Sequence, residues 1–166
     1  MDFELNEEQS MVRDMVRDFA QRELAPRAAE VDRTEEFPAE NLAKMASLGL
    51  LGLPYPEKYG GGGGDYVSYA IAVEEVARAC GSTALIYAAH VSLGCGPVFY
   101  FGSEGQKSRW LPHLCSGQGL GAFGLTEPEA GSDAGATRTV AVRDGDHYVL
   151  NGSKMWITSG AIADLL

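Results

Sequence analysis

The stretch Phe123-Gly-Leu-Thr-Glu-Pro-Glu-Ala-Gly-Ser-Asp133 marks a change in the character of the chain. A short apolar segment ends at Thr126, and Pro128 and Gly131 then oppose helix formation. Glycines let backbone N–H groups approach a ligand closely, and consecutive N–H groups in such a loop can form a nest for an anion. From these residues alone, a phosphate-binding loop and a loop that only turns the chain are equally good interpretations.

The residues just before this loop and those after it have a sequence pattern that is typical of short antiparallel strands. Asp144-Gly145 and Asn151-Gly152 are dipeptides that favour hairpin turns between strands. We therefore predict four strands, at 120–126, 137–143, 148–151 and 154–158.

The last predicted strand carries a possible ligand site. Residues two apart in a strand share a face, so Trp156 and Thr158 are expected to project together. A flat aromatic ring beside a hydroxyl suits a planar heteroaromatic ligand. The alternative interpretation is a core tryptophan beside a surface threonine, and the motif alone favours that alternative.

Upstream of residue 118 the chain predicts helices. Asn6 with Gln9 three residues later resembles a capping box, and Pro26 should kink or end the helix that follows. A second helix is predicted from Pro38, with Leu42, Met45 and Leu48 inward and Gly49 as its stop. Further helix starts are predicted at three capping residues, Asp65, Ser82 and Ser103.

One predicted helix is apolar on every side. From Ala84 to Phe101 there is no Asp, Glu, Lys or Arg, and the only side chain that ionises near neutral pH is that of His90. Such a helix is normally buried in the centre of its domain, and it can also line an apolar ligand pocket. The core interpretation is preferred on these residues alone.

The order of the elements predicts an α+β fold with two successive units. We expect an all-α N-terminal helical domain over residues 1–118 and an incomplete antiparallel β domain over residues 119–166. Gly119, Gly121 and Gly124 formally match a dinucleotide-binding fingerprint, but that fingerprint must follow a strand and open a helix. Here a helix precedes it, so a Rossmann fold is not expected.

Composition excludes several classes of function. A net charge of −10 over 166 residues argues against nucleic-acid binding, which needs a basic surface. The sequence has no uninterrupted apolar run of about 18 residues, so no membrane span is expected. The opening resembles neither a signal nor a transit peptide, which favours a cytoplasmic protein. Three cysteines are interpreted as buried thiols, and three dispersed histidines predict no metal site.

Two motifs together resemble the acyl-CoA dehydrogenase family. The run Leu125-Thr-Glu-Pro-Glu-Ala-Gly-Ser-Asp133-Ala-Gly is similar to the first signature of that family in sequence and position. Trp156-Ile-Thr158 lies where the family has its flavin-stacking motif. The resemblance extends over the whole chain, from the helical opening through Leu-Gly-Leu-Pro54 to the strands.

The resemblance implies that FAD binds between the helical domain and the β domain. Thr126 would contact the pyrimidine edge of the flavin, Trp156 would cover one flavin face, and Thr158 would bond near N5. Gly131 and Ser132 would lie by the pyrophosphate, with Ser132 also near the CoA substrate. The implied cofactor-binding residues are Phe123, Leu125, Thr126, Gly131, Ser132, Trp156, Ile157 and Thr158.

The resemblance also implies a reaction, α,β-dehydrogenation of an acyl-CoA thioester with electrons passed to an electron-transfer flavoprotein. The family's catalytic base is a glutamate of a C-terminal helical domain, and no acid in residues 1–166 corresponds to it. Neither Glu127 nor Glu129 is assigned as the base. We therefore expect this chain to be a truncated, inactive part of an enzyme that is a homotetramer when complete. The alternatives are a non-catalytic module and an acyl-CoA oxidase-like flavoprotein of the same fold.

Overall fold

The computed structural model describes residues 4–166, and the residues before about 118 form a helical domain. Two π-helical segments join α-helices end to end, and two short 3-10 turns connect α3 to α4. The helices of this domain are α1 (Glu7–Phe19), a π segment (Ala20–Leu24), α2 (Ala25–Thr34), α3 (Ala39–Ser47), 3-10 turns at Leu50–Gly52 and Glu57–Tyr59, α4 (Tyr66–Ala79), α5 (Gly81–Ala89), a second π segment (His90–Cys95), α6 (Gly96–Phe101) and α7 (Glu104–Cys115).

Three helix starts are capped as predicted. The side chains of Asn6 and Ser103 each accept a hydrogen bond from the backbone N–H three residues on, and Gln9 and Gln106 complete the two capping boxes. Asp65 caps α4 in the same manner, with an O···N distance of 2.6 Å. Local hydrogen bonding therefore fixes where α1, α4 and α7 begin.

Two details of the helical prediction are wrong. The predicted cap at Ser82 is wrong because α5 begins at Gly81, which places Ser82 inside its first turn. Leu48, expected to point inward from α3, is 41% exposed. The helix ends at Ser47 and the chain turns at once through Gly49, whose φ is 71°, so Leu48 leaves the buried face.

Pro26 does not end the first helix. The π segment lies directly before α2, and Pro26 occupies the first turn of α2, where a missing N–H breaks no regular hydrogen bond. The helical chain therefore continues to Thr34. Glu35, in the left-handed conformation with φ 56°, ends it.

The core of the domain lies where α1, α4 and α5 pack side by side. Val16 of α1 and Val76 of α4 are completely buried there, together with Tyr87 of α5. Arg17 and the buried Glu75 join α1 to α4 through two hydrogen bonds of 2.6 and 3.0 Å. This pairing satisfies a carboxylate that would otherwise be costly to bury.

The apolar helix runs through this core from α5 to α6. Within residues 4–166, the segment Gly81–Phe101 is long and apolar enough, with mean hydropathy 1.4, to cross a membrane. Thr83, Tyr87, His90 and Val91 are buried against the rest of the domain, as in the core helix of a folded protein. Composition alone therefore does not exclude a membrane span in this segment. The expected absence of a membrane span stays a prediction.

The β part of the described chain is a single hairpin. Strands β1 (Val140–Asp144) and β2 (His147–Asn151) pair antiparallel, and Gly145 with φ 61° lies in the predicted turn. Both strands are exposed along their whole length. A helical domain followed by a short antiparallel sheet confirms the predicted α+β fold.

Two predicted strands and one predicted turn are not formed. Residues 120–126 contain a single bridge, from Gly121 to Leu165, and residues 154–158 are irregular. Asn151-Gly152 ends β2 without starting a hairpin. A strand requires a row of backbone partners, and the described residues offer these two segments only isolated ones, so the prediction was wrong there.

Candidate functional site

The segment after Gly119 lies directly on the apolar helix. A Cβ atom added to Gly94 would stand 2.7 Å from the Cα of Gly121, and one added to Gly121 would stand 2.6 Å from the Cα of Gly94. Only glycine at both positions allows the two backbones to approach so closely. This contact fixes how residues 121–126 enter the site.

His90 strengthens the same junction. Its Nδ1 accepts a hydrogen bond from the backbone N–H of Gly121, and its Nε2–H donates to the carbonyl of Leu114, both at 3.1 Å. Burial lowers the pKa of His90 from 6.5 to about 4, so the ring is neutral at pH 7. His90 therefore links three parts of the chain, which are the second π segment, α7 and the start of the site.

Six of the eight predicted cofactor residues line one cavity of about 240 Å³. Ala89 and Leu93 of the apolar helix form its other wall. The six are Phe123, Leu125, Thr126, Trp156, Ile157 and Thr158. Two segments about thirty residues apart in the chain therefore come together against the helix.

Gly131 and Ser132 do not line this cavity. Both are exposed in the loop that precedes the 3-10 turn Ala134–Ala136, and no atom lies within 4 Å of a Cβ added to Gly131. Their predicted contacts with a pyrophosphate and with CoA stay predictions. An open, glycine-containing loop leaves its backbone accessible to such a ligand.

Trp156 reaches the cavity in an unusual conformation. Its φ is 59°, which lies in the left-handed region of backbone conformations. Residues with bulky side chains rarely adopt this conformation, because it costs about 1–3 kcal/mol. The indole is 85% exposed, so it is not the core tryptophan of the alternative interpretation. Because the segment is not a strand, alternation does not explain why Trp156, Ile157 and Thr158 all line the cavity.

Glu127, next to Thr126, is a buried acid that the sequence interpretation left without a role. Its carboxylate accepts hydrogen bonds from the backbone N–H groups of Arg138 and Thr139 at 2.6 and 3.0 Å, and from Nζ of Lys154 at 2.8 Å. The bond from Arg138, together with the others, lowers the pKa of Glu127 from 4.5 to about 2. Such a carboxylate is a poor proton acceptor at neutral pH, which agrees with not assigning it as the base.

The sequence did contain a signal for this arrangement. Glu127 follows a hydroxyl residue in the loop, and Lys154 stands two residues before Trp156. An acid and a lysine that flank two parts of one proposed site suggest a pair. Only the fold, however, shows that the carboxylate is buried.

A second, larger cavity adjoins the first. It measures about 420 Å³ and lies between the second half of the apolar helix, α7 and the segment from Ala122 to Phe123. Leu93 and Phe123 belong to both cavities and so separate them. The helix that was interpreted either as core or as a pocket wall is both, with His90 inward and Leu93 toward the cavities.

Both parts of the chain match one known family. Residues 6–118 match the profile of the acyl-CoA dehydrogenase N-terminal domain, and residues 122–166 match that of the acyl-CoA dehydrogenase middle domain. The chain therefore belongs to the acyl-CoA dehydrogenase family, as its motifs predicted.

Curated relatives have the same family name. The chain is 61% identical over 163 residues to a probable acyl-CoA dehydrogenase of Bacillus subtilis, covering 98% of this chain and 43% of that protein. It is 54% identical over 164 residues to the short-chain specific acyl-CoA dehydrogenase of Clostridium acetobutylicum, covering 99% and 43%. The chain thus spans less than half the length of these relatives.

Solved structures share the fold. The chain superposes with a TM-score of 0.95 and 46% identity on a chain from a structure of the electron transferring flavoprotein of Acidaminococcus fermentans, covering 99% of this chain and 43% of that one. It superposes with a TM-score of 0.91 and 41% identity on an acyl-CoA dehydrogenase complexed with FAD from Bacillus anthracis, covering 97% and 28%.

Proposed function

We propose that the protein is an FAD-dependent acyl-CoA dehydrogenase that introduces an α,β double bond into an acyl-CoA thioester. The observation that carries this proposal is the cavity in which Thr126, Trp156 and Thr158 meet. The family membership of the chain and the FAD named for the related Bacillus anthracis structure support it.

The residues at the cavity fit a flavin ring. Two hydroxyls, from Thr126 and Thr158, and the uncovered face of Trp156 suit a flat heterocycle with polar edges. Sites for whole drug-sized ligands measure roughly 300–1,000 Å³. At about 240 Å³ this cavity therefore suits one ring system, with the rest of the dinucleotide outside it.

The proposed roles follow from these positions. Trp156 stacks on the flavin ring, and Thr126 and Thr158 offer hydroxyls for hydrogen bonds to its polar edge. Ser132 and the backbone at Gly131 are proposed to bind the pyrophosphate and the CoA chain. Bound FAD supplies the two-electron acceptor that takes a hydride from the β carbon of the substrate.

The two glutamates of the signature loop, Glu127 and Glu129, are both engaged by cationic or N–H donors and are not proposed as the base. Glu127 is held by three donors, and Glu129 forms an ion pair with Arg138. We therefore propose that the glutamate comes from the C-terminal helical domain of the family, which residues 4–166 do not include. The 166-residue chain alone is expected to show no turnover with FAD, acyl-CoA and an artificial electron acceptor.

The proposal extends to substrate and partners. A short acyl chain is favoured by the short-chain specific relative in Clostridium acetobutylicum. The cavity of about 420 Å³ beside the proposed flavin site is the place for that acyl chain. An electron-transfer flavoprotein is proposed as the electron acceptor, and a homotetramer as the assembly of the complete enzyme.

Replacing Trp156 by alanine tests the flavin assignment. In the full-length protein, W156A is expected to weaken FAD binding by about 1–3 kcal/mol, because a stacking contact is lost. That corresponds to a dissociation constant raised roughly 5- to 150-fold, measured by titration of the apoprotein with FAD.

The matched control is Trp110→Phe. Trp110 lines the larger cavity and not the smaller one, so W110F is expected to leave the FAD dissociation constant unchanged. Equal FAD affinity in W156A and the wild type would remove Trp156 from the site. A wild-type protein that does not bind FAD would contradict the proposed function itself.

A further inference from the structure

The two cavity-lining segments are held together without a sheet. Residues 123–126 and 156–158 approach each other, yet neither lies in a strand. The backbone hydrogen bond between them is made next to the second segment, from the N–H of Met155 to the carbonyl of Thr126 at 2.8 Å. A single bond is a weak constraint on a segment that carries an exposed indole in a strained conformation.

Lys154 supplies the additional connection. Its Nζ donates to the carbonyl of Leu125 at 3.0 Å and to the carboxylate of Glu127 at 2.8 Å. These two acceptors flank Thr126 on either side. Lys154 lies two residues before Trp156, and its ammonium group therefore connects that segment to the residues on both sides of Thr126.

The carboxylate of Glu127 is itself held in place, so its ion pair with Lys154 has a fixed position. Its carboxylate is held by the N–H groups of Arg138 and Thr139, which lead into β1. The side chain of Glu127 is 7% exposed and that of Lys154 is 26% exposed. An ion pair that is shielded from water and hydrogen-bonded on several sides orders its surroundings more strongly than a surface pair.

We propose that Lys154 and Glu127 form a positioning pair that sets the place of Trp156 relative to Thr126 and thereby shapes the flavin cavity. This inference rests on the proposed function, because it assigns the pair a role toward FAD. Neither side chain lines the cavity, so the pair acts through Trp156 and Thr126 and does not itself touch the ring.

The loop contains a second ion pair that serves as a contrast. Glu129 pairs with Arg138, but their side chains are 65% and 77% exposed. Neither residue contacts the segment around Trp156 through a described hydrogen bond. Arg138→Met removes one positive charge beside Glu127, as Lys154→Met does, and it keeps the backbone N–H of Arg138 that donates to Glu127.

The experiment measures both affinity and the position of Trp156. The full-length protein is prepared with W110F, so that Trp156 is the only tryptophan of residues 1–166, and tryptophans elsewhere in the protein are replaced by phenylalanine. K154M, K154R and R138M are then added singly. FAD is titrated into each apoprotein, and the quenching of Trp156 fluorescence is recorded at saturating FAD.

K154M is expected to raise the FAD dissociation constant about tenfold or more, the effect of losing hydrogen bonds to a charged group. Its quenching at saturation is expected to fall, because the indole no longer stacks even when the flavin is bound. K154R keeps a cation with several donors and is expected to restore both readouts. R138M is expected to match the parent, because the exposed guanidinium of Arg138 does not contact Lys154 or Trp156 through a described hydrogen bond.

The outcomes separate the two proposals. A wild-type full-length protein that binds no FAD overturns the proposed function and this inference with it. A parent that binds FAD, with K154M showing equal affinity and equal quenching, overturns the positioning pair alone. Reduced affinity with unchanged quenching at saturation also overturns it, since that result describes a general loss of stability. Equal losses in R138M and K154M, which each remove one positive charge, would show a charge effect and would overturn the positioning pair.

Discussion

Replacing Gly94 by alanine is expected to lower the free energy of unfolding by about 3 kcal/mol, near the upper end of the usual range for an overpacked core. The new methyl group would stand 2.7 Å from the Cα of Gly121, where neither backbone can move aside easily. Since this contact carries the chain into the cavity, FAD affinity in the full-length protein should fall as well. Chemical denaturation and FAD titration measure the two effects.

Gly105→Ala is the matched control for Gly94→Ala. Gly105 lies in the first turn of α7, and a Cβ there would meet only the Ser103 hydroxyl, at 4.0 Å. Alanine is the better helix former by up to about 1 kcal/mol, so G105A should leave stability unchanged or raise it. Gly94→Ala with wild-type stability and wild-type FAD affinity would disprove the close backbone contact.

Stability is expected to fall steeply between pH 6.5 and about 4 because of His90. The unfolded chain takes up a proton near pH 6.5, whereas the folded state resists it until about pH 4. The unfolded state therefore binds more protons in this window, and stability is lost as the pH falls. A shift from 6.5 to about 4 corresponds to a loss of about 3 kcal/mol.

His90→Gln tests this origin of the pH dependence. Glutamine keeps one acceptor for the N–H of Gly121 and one donor for the carbonyl of Leu114, and it does not titrate. The H90Q protein should therefore show a flatter curve of unfolding free energy against pH in this range. His147→Gln, at an exposed position in β2, should keep the wild-type curve. Parallel curves for H90Q and the wild type would contradict the assignment.

Local features of the fold could be predicted from the sequence. The capping boxes at Asn6 and Ser103 and the turn at Gly145 depend on a few adjacent residues, and the structure forms all three. The helical order and the family signatures were likewise readable. The strands at 120–126 and 154–158 were not, because strand formation depends on partners distant in sequence.

The candidate site was predictable in its residue types and not in its geometry. The motifs identified Thr126, Trp156 and Thr158, which do lie around one cavity. The left-handed backbone of Trp156 and the buried carboxylate of Glu127 both arise from contacts across the chain. The hydrogen bonds of His90 to Gly121 and Leu114 are of the same kind. No spacing rule encodes such contacts.

The second π segment has a consequence for insertions and deletions. A π turn accommodates one residue more than a regular α turn, so loss of one residue within His90–Cys95 could be absorbed by tightening to α geometry. The flanking helices α5 and α6 would keep their faces toward the core and the cavities. A deletion in the middle of α4 would instead rotate everything after it by about 100°. This helix is therefore expected to tolerate a one-residue change in length best at the π turn. Deletion of His90 or Gly94 is the exception, because both residues hold the segment at Gly121 in place.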